Sequence, residues 1–215
     1  MDDFLKSIKL SLAEGGIVVL SVPDCGRFLE HGDINGFLHE HLTYFTVASL
    51  RATLAFAGLN IIKIVSTRDL FSVIVSHGSV CAVAIEQLDE RERLKKFHAR
   101  MERLLDKVVP MIRRRVLAGE KVGFHGATNG LNILCHIAGL QNLPIYIFDG
   151  DSTKTGRYLP ASNSKIRNIN DPLYRQIDMM VVSAMSFEEE IRADAVSRAG
   201  LSGENILPML GVAGA

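Results

Sequence analysis

The side chains best suited to chemistry lie in Phe37-Leu38-His39-Glu40-His41-Leu42-Thr43-Tyr44-Phe45, where two histidines flank a glutamate and a tyrosine follows. Histidine titrates near neutral pH and suits proton abstraction. A neighbouring carboxylate can orient a hydroxyl or raise a histidine pKa. His39 and His41 share a face only if the stretch is extended. The zinc signature HExxH is absent, because Thr43 and Tyr44 occupy the later positions. The plainer alternative is a polar loop whose histidines meet backbone groups.

A second candidate is the glycine run Gly123, Gly126 and Gly130, with Asn129 inside it and Asp149 beyond. Glycines between a strand and a helix let the backbone approach phosphate at the helix N-terminus. An acid about 20 residues on, at a strand end, is where a ribose hydroxyl would be held. The spacing is GxxGxxxG rather than GxGxxG, so a structural glycine turn is the alternative. A third candidate runs from Asp149 to Arg157, a loop that can bring Lys154 and Arg157 to phosphate or simply a turn-rich surface. Arg113-Arg114-Arg115 reads as a solvated face.

The elements that must position these residues follow from apolar spacing. Phe4, Leu5, Ile8 and Leu12 mark a helix over 2–13, stopped by Gly15-Gly16. Ile17–Val22 is a continuous apolar run ended by Pro23, which predicts a strand buried on both faces of a parallel or mixed sheet. Residues 24–45 are polar, glycine-dotted and histidine-rich, and read as one long loop of the kind that is usually functional. Thr46 can cap a helix from Val47 to Ala57, ended by Gly58. Strands are expected over 60–66, 71–76 and 80–85, the last two a hairpin turning at Gly78. Leu94, Phe97, Met101, Leu104 and Val108 predict an amphipathic connecting helix over 87–118, disturbed at Pro110 and ended by Gly119. Beyond it come a strand at Lys121–Phe124, a helix over 131–139 and a strand at Pro144–Asp149. Residues 150–176 read mostly as loop, followed by a strand at Met179–Ala184, a helix over 187–199 and a strand at Asn205–Leu207. Such alternation implies right-handed crossovers and a parallel sheet. The class is therefore α/β, with lobes at 1–86 and 119–215 joined by a long helix over 87–118.

Composition narrows the function. The 215 residues are 47% apolar and 22% charged, which excludes a disordered chain. Lys+Arg 24 balances Asp+Glu 24, which argues against a nucleic-acid partner. No apolar run approaches the roughly 18 residues of a membrane helix, and the acidic, then amphipathic N-terminus lacks the features of a signal peptide. Cys25, Cys81 and Cys135 stand apart with no CxxC, which fits a reducing cytoplasm and excludes a cysteine-built metal site in this chain.

The stretch Gly16-Ile-Val-Val-Leu-Ser-Val-Pro-Asp24, then Leu29-Glu30, then His39-Glu40-His41-Leu42-Thr43-Tyr44-Phe45, resembles the S-adenosylmethionine-dependent C-methyltransferases of deoxysugar biosynthesis, whose signature there reads approximately VPD…LLE…YHEHLxYFS. Gly126-Ala-Thr-Asn-Gly130, Phe148-Asp149 and Lys154-Thr-Gly-Arg157 are similar to that family's second Rossmann-like domain. The resemblance covers nearly the whole chain. It implies proton removal beside the carbonyl of a nucleotide-linked 4-keto sugar, with the enolate attacking the methyl of S-adenosylmethionine. His41 matches the general base and Glu40 an acid near the sugar hydroxyls; His39, Tyr44, Asn129, Lys154 and Arg157 fall where substrate contacts would be. Leu38 stands where the family usually has Tyr.

The resemblance also implies an incomplete class I methyltransferase sheet as the first of two Rossmann-like lobes. Such a fold needs about seven strands, and its first half carries the cofactor's glycine loop. Here the matching sequence starts near the helix before the fifth strand, and the family's N-terminal zinc cysteines have no counterpart. S-adenosylmethionine binding is then expected only with a complementing chain. A second polypeptide carrying that half, or a homo-oligomer, is the expected cover for the open sheet. The alternative is a non-catalytic assembly or regulatory subunit derived from a methyltransferase. A nicotinamide enzyme built on Gly123–Asp149 is a third reading.

Overall fold

The computed structural model describes residues 2–38, 40–67, 70–79 and 87–209, with the backbone alone at 2 and 87–89. The chain divides into two compact units. One comprises Met1–Glu30 with His39–Lys96, and the other His31–Leu38 with Phe97–Ala215.

The first unit holds the helix α1 (Asp2–Ser11), the strand β1 (Ile17–Pro23), most of α2 (Cys25–His31), α3 (Val47–Phe56), and the strands β2 (Leu59–Ser66) and β3 (Leu70–His77). Its sheet has the order β1-β3-β2, and β3 pairs antiparallel with both neighbours. β1 and β2 therefore run in the same direction. Alternate β3 residues Phe71, Val73 and Val75 are buried beneath Leu5 of α1 and Leu50 and Leu54 of α3. Thr46 caps α3 through its side chain, which accepts from the Ser49 amide at 3.2 Å while the Ser49 hydroxyl accepts from the Thr46 amide.

Two expectations change here, and a third lies outside the described residues. β1 is not buried on both faces: Ile17 and Val19 are 59% and 60% exposed, because helices of this unit cover only the opposite face. The stretch 24–45 is not one loop, since α2 and a 3₁₀ turn at Ile34–Gly36 lie within it. Its glycines and polar residues hide a helix held by burial of Cys25 and Leu29. The described hairpin joins β2 to β3, whereas the expected 71–76/80–85 hairpin reaches residues outside the described ones.

The connecting helix runs as α4 (Gln87–Arg103), a π-helical turn at Leu104–Val108, and α5 (Val109–Leu117). Pro110 stands in the first turn of α5, directly after the π-helical turn, and that local widening of the helix is where a residue without an N–H is accommodated. The strands β4 (Val122–His125), β5 (Tyr146–Asp149), β6 (Ile166–Asn168), β7 (Met179–Val182) and β8 (Ile206–Pro208) form a fully parallel sheet in the order β6-β5-β4-β7-β8. The helices α6 (Asn129–Ile137) and α7 (Glu188–Ala199) complete the alternation. All four residues of β4 and of β7 are buried, as strands of a parallel sheet covered on both faces should be. The span 150–176 contains β6 and a 3₁₀ segment at Pro172–Gln176.

Candidate functional site

In the second unit the strand order reverses beside β4, whose neighbours are β5 on one side and β7 on the other. In open α/β sheets the crevice at the carboxyl ends of such strands is the usual ligand position. Here that crevice is stitched by its own side chains. The Ser183 hydroxyl, just past β7, lies 2.9 Å from the His125 carbonyl oxygen and 2.6 Å from that of Gly126. Gly126 has φ +111°, and a Cβ there would meet the Ala184 amide nitrogen at 2.7 Å, so both backbone conformation and close approach require glycine.

Asp149 ends β5 and is 8% exposed. Its Oδ2 accepts from the Ala127 amide at 2.8 Å and from Lys154 Nζ at 2.9 Å, and its Oδ1 accepts from the Asp151 amide at 2.9 Å. The acid expected to meet a ribose is thus a clamp on the glycine turn. Lys154 Nζ also reaches the Ala127 carbonyl at 3.4 Å. Arg157, three residues further on, is exposed. Thr128 caps α6 by accepting from the Leu131 amide, Asn129 Nδ2 donates to the Phe37 carbonyl at 3.1 Å, and the Gly130 amide donates to Asn35 Oδ1 at 2.6 Å.

His125 is buried, with Nδ1 2.9 Å from the Tyr174 hydroxyl and the two rings edge-on at 5.6 Å. Burial lowers the His125 pKa and raises that of Tyr174, whose ring also packs edge-on against Phe148. Burial pushes the Cys135 thiol up to about 12, which leaves it an inert core residue. Among the described residues no group of three His, Cys, Asp or Glu side chains is arranged to hold a metal.

In the first unit, β1 delivers Asp24 to its carboxyl end. Asp24 pairs with Phe45 in a parallel bridge, and the Cys25 amide donates to the Phe45 carbonyl at 2.9 Å. The last residue of the HEHLTYF block is therefore tied to the strand end. Asp24 is buried, and burial raises its pKa against the opposing pull of amide hydrogen bonds and of Arg27 and Arg93. Within the block, Glu40 is exposed, His41 is half-buried, and the His41 and Tyr44 rings meet edge-on at 5.8 Å. His39 lies outside the described residues.

Glu40, His41 and Tyr44 thus belong to the first unit, and Asn129, Lys154 and Arg157 to the second. Sequence reasoning did not single out Asp24, Asn35, Ser183 or Tyr174 as site-building residues. Asp24 alone had a local signal, as an acid directly after a strand-ending proline. Asn35 and Ser183 act on residues far away in sequence.

Residues 82–209, more than half of the chain, match the family of C-methyltransferase C-terminal domains. The chain is also 26% identical over 207 residues to the C-methyltransferase NovU of Streptomyces niveus, an alignment covering 88% of this chain and 49% of that protein. It therefore spans about half the length of the curated relative. No described helix is long and apolar enough to cross a membrane.

Proposed function

Because the chain belongs to the family of C-methyltransferase C-terminal domains, we propose that it is the C-terminal part or a subunit of a C-methyltransferase acting on a nucleotide-linked keto-sugar in the cytoplasm. His41 is the general base, taking a proton from the carbon beside the carbonyl. Glu40 meets the sugar hydroxyls and Tyr44 steadies the His41 ring. Within the second unit, Lys154 and Arg157 are the cationic side chains offered to a phosphate-bearing ligand. The observation that carries this reading is the bridge between Phe45 and Asp24, which ties the HEHLTYF block to the carboxyl end of β1. That places the last residue of the block at a strand end, beside the buried Asp24 carboxyl. The order β6-β5-β4-β7-β8 supports a Rossmann-like second lobe.

The family's methyl donor is S-adenosylmethionine, which supplies an electrophilic methyl group. Asp149 does not fit as its ribose acid. Asp149, the strand-end acid beside a glycine turn, is buried and engaged with Ala127, Asp151 and Lys154. Asp149 is thus not offered to the ribose, and we propose that S-adenosylmethionine is bound together with complementing sequence, whether of the same polypeptide or of another. The exposed face of the first sheet, with Ile17 and Val19 open, is the natural seat for that sequence or for a second copy of this chain.

Single-turnover methyl transfer to a 4-keto sugar nucleotide in the reconstituted complex tests the reading. His41→Asn should slow it by about 10²–10⁴-fold, the usual contribution of a positioned base. Wild-type rates in that variant would remove the assignment. An assembled but wholly inactive wild-type complex would favour a non-catalytic subunit.

A further inference from the structure

We infer that the glycine turn before α6 is a docking site for the chain's own residues 33–38, and that Asn35 and Asn129 are positioning residues for the HEHLTYF block that follows. The functional weight of this inference rests on His41 being the base.

Residues 31–38 belong to the second unit although the sequence on both sides belongs to the first. Ile34 is buried in the second unit's core, and the Phe37 and Phe97 rings pack at 5.4 Å. Asp33 Oδ1 accepts from both the backbone amide and Nδ2 of Asn35, each at 2.8 Å. That fixes the Asn35 side chain with its NH₂ toward Asp33 and its Oδ1 toward the Gly130 amide, 2.6 Å away. The first amides of a helix lack intrahelical partners, and here a side chain from elsewhere in the chain satisfies one of them.

Gly130 has no positive φ; it is glycine because a Cβ would lie 2.7 Å from Asn35 Oδ1. Asn129, its neighbour, donates to the Phe37 carbonyl. The glycine turn thus reads a peptide segment with one backbone amide, one carboxamide and room for an asparagine. The HEHLTYF block begins two residues after Phe37. It is tied at this end through Asn35 and Phe37, and at the other through Phe45 and Asp24. His41 lies four residues from Phe37 and four from Phe45.

Limited chymotrypsin digestion of the full chain tests this, with cleavage after Leu42 and Tyr44 followed by mass spectrometry. Leu42 is 97% exposed, so cleavage there reports how readily the backbone yields rather than side-chain access. Asn35→Ala should speed cleavage about tenfold, as expected for loss of a partly buried hydrogen bond, and Gly130→Ala should do the same from the other side of the contact. Asn129→Ala should give a smaller rise. The paired exchange Asp33→Asn with Asn35→Asp keeps an acceptor for the Gly130 amide and a donor between residues 33 and 35. It should return cleavage to near the wild-type rate, whereas Asn35→Asp alone, with two carboxylates facing each other, should not. Unchanged cleavage in both Asn35→Ala and Gly130→Ala, with melting temperatures retained, would overturn the inference. So would a paired exchange that cleaves as fast as Asn35→Ala. The assay needs no cofactor, sugar or partner, so its failure leaves the methyl-transfer reading standing, and the failure of methyl transfer leaves the docking result intact.

Discussion

β1 and β7 are both predominantly apolar strands, and they finish in different surroundings. Met179, Met180, Val181 and Val182 of β7 are all completely buried, whereas β1 alternates, with Ile17 and Val19 more than half exposed. The difference lies in what each unit supplies around its sheet. The parallel sheet of the second unit has buried residues on both faces, gathered in two clusters that include side chains of α5 and α6 on one face and of α7 on the other. Among the described residues, the antiparallel sheet of the first unit has one cluster, beneath α1 and α3. On its other face Val19 pairs with Ile74, Ser21 with Ser72, and Ile74 with Lys63. An apolar run therefore reports that a face is meant to be covered, and whether the chain itself provides the cover is a separate matter.

The contrast is sharpened most by a core truncation. Phe124, at the centre of the parallel sheet, has no exposed surface, and Phe124→Ala should cost about 3–5 kcal/mol. Urea unfolding followed by circular dichroism reads this. A cost below about 1 kcal/mol would contradict a core filled from both faces. Gly126→Ala comes next, at about 2–3 kcal/mol, because a φ of +111° and the Ala184 backbone both oppose a side chain. The same Ala substitution at Gly203, where a Cβ would meet open space, is the control and should be nearly neutral.

A smaller effect separates the units by pH. Burial holds the pKa of His125 below its unfolded value, so above about 6.5 both states are neutral and its environment is undisturbed. As pH falls through that value the unfolded chain takes a proton that the folded chain resists, and the second unit loses stability at up to about 1.4 kcal/mol per pH unit. Asp24 runs the other way. Its folded pKa is raised, so the first unit loses stability as pH rises through the unfolded Asp value of about 3.9 toward the folded one. Denaturation curves from pH 4 to 8 should therefore shift down at the acid end for wild type. His125→Gln should flatten that loss, and an unchanged slope would break the assignment. Smallest on stability is Val19→Lys, which should change unfolding by no more than about 0.5 kcal/mol. It should nevertheless reduce self-association in light scattering, whereas wild type should scatter above the mass of one chain. A monodisperse wild-type monomer at high concentration would show that the open face needs no partner.

Much of the second unit was legible from local pattern. The run Met179–Val182 and the glycines before α6 are signals contained within a few residues of the elements they specify. The N-cap of α3 was equally legible, since Thr46 acts on a neighbour three residues away. α2 was not, because Gly26 and Arg27 carry no helical signature and the helix depends on burying Cys25 and Leu29. β6 was also missed, since three residues have too little periodicity to register and exist as a strand only by pairing with β5.

For the candidate site, the sequence alone determined which side chains have chemical capacity: Glu40, His41 and Tyr44 in one block, Asn129 and Lys154 around one glycine turn. Residue type and short spacing carry that information because pKa, charge and hydrogen-bonding capacity are properties of the side chains themselves. What Asp149 and Asn129 bond to was decided by tertiary structure. Asp149 turned from a ribose ligand into a clamp because Lys154 and the Ala127 amide reach it first, and Asn129 met the carbonyl of Phe37, 92 residues away in sequence. Hydrogen bonds act over about 3 Å of space and take no account of distance along the chain, so only the folded backbone could choose these partners.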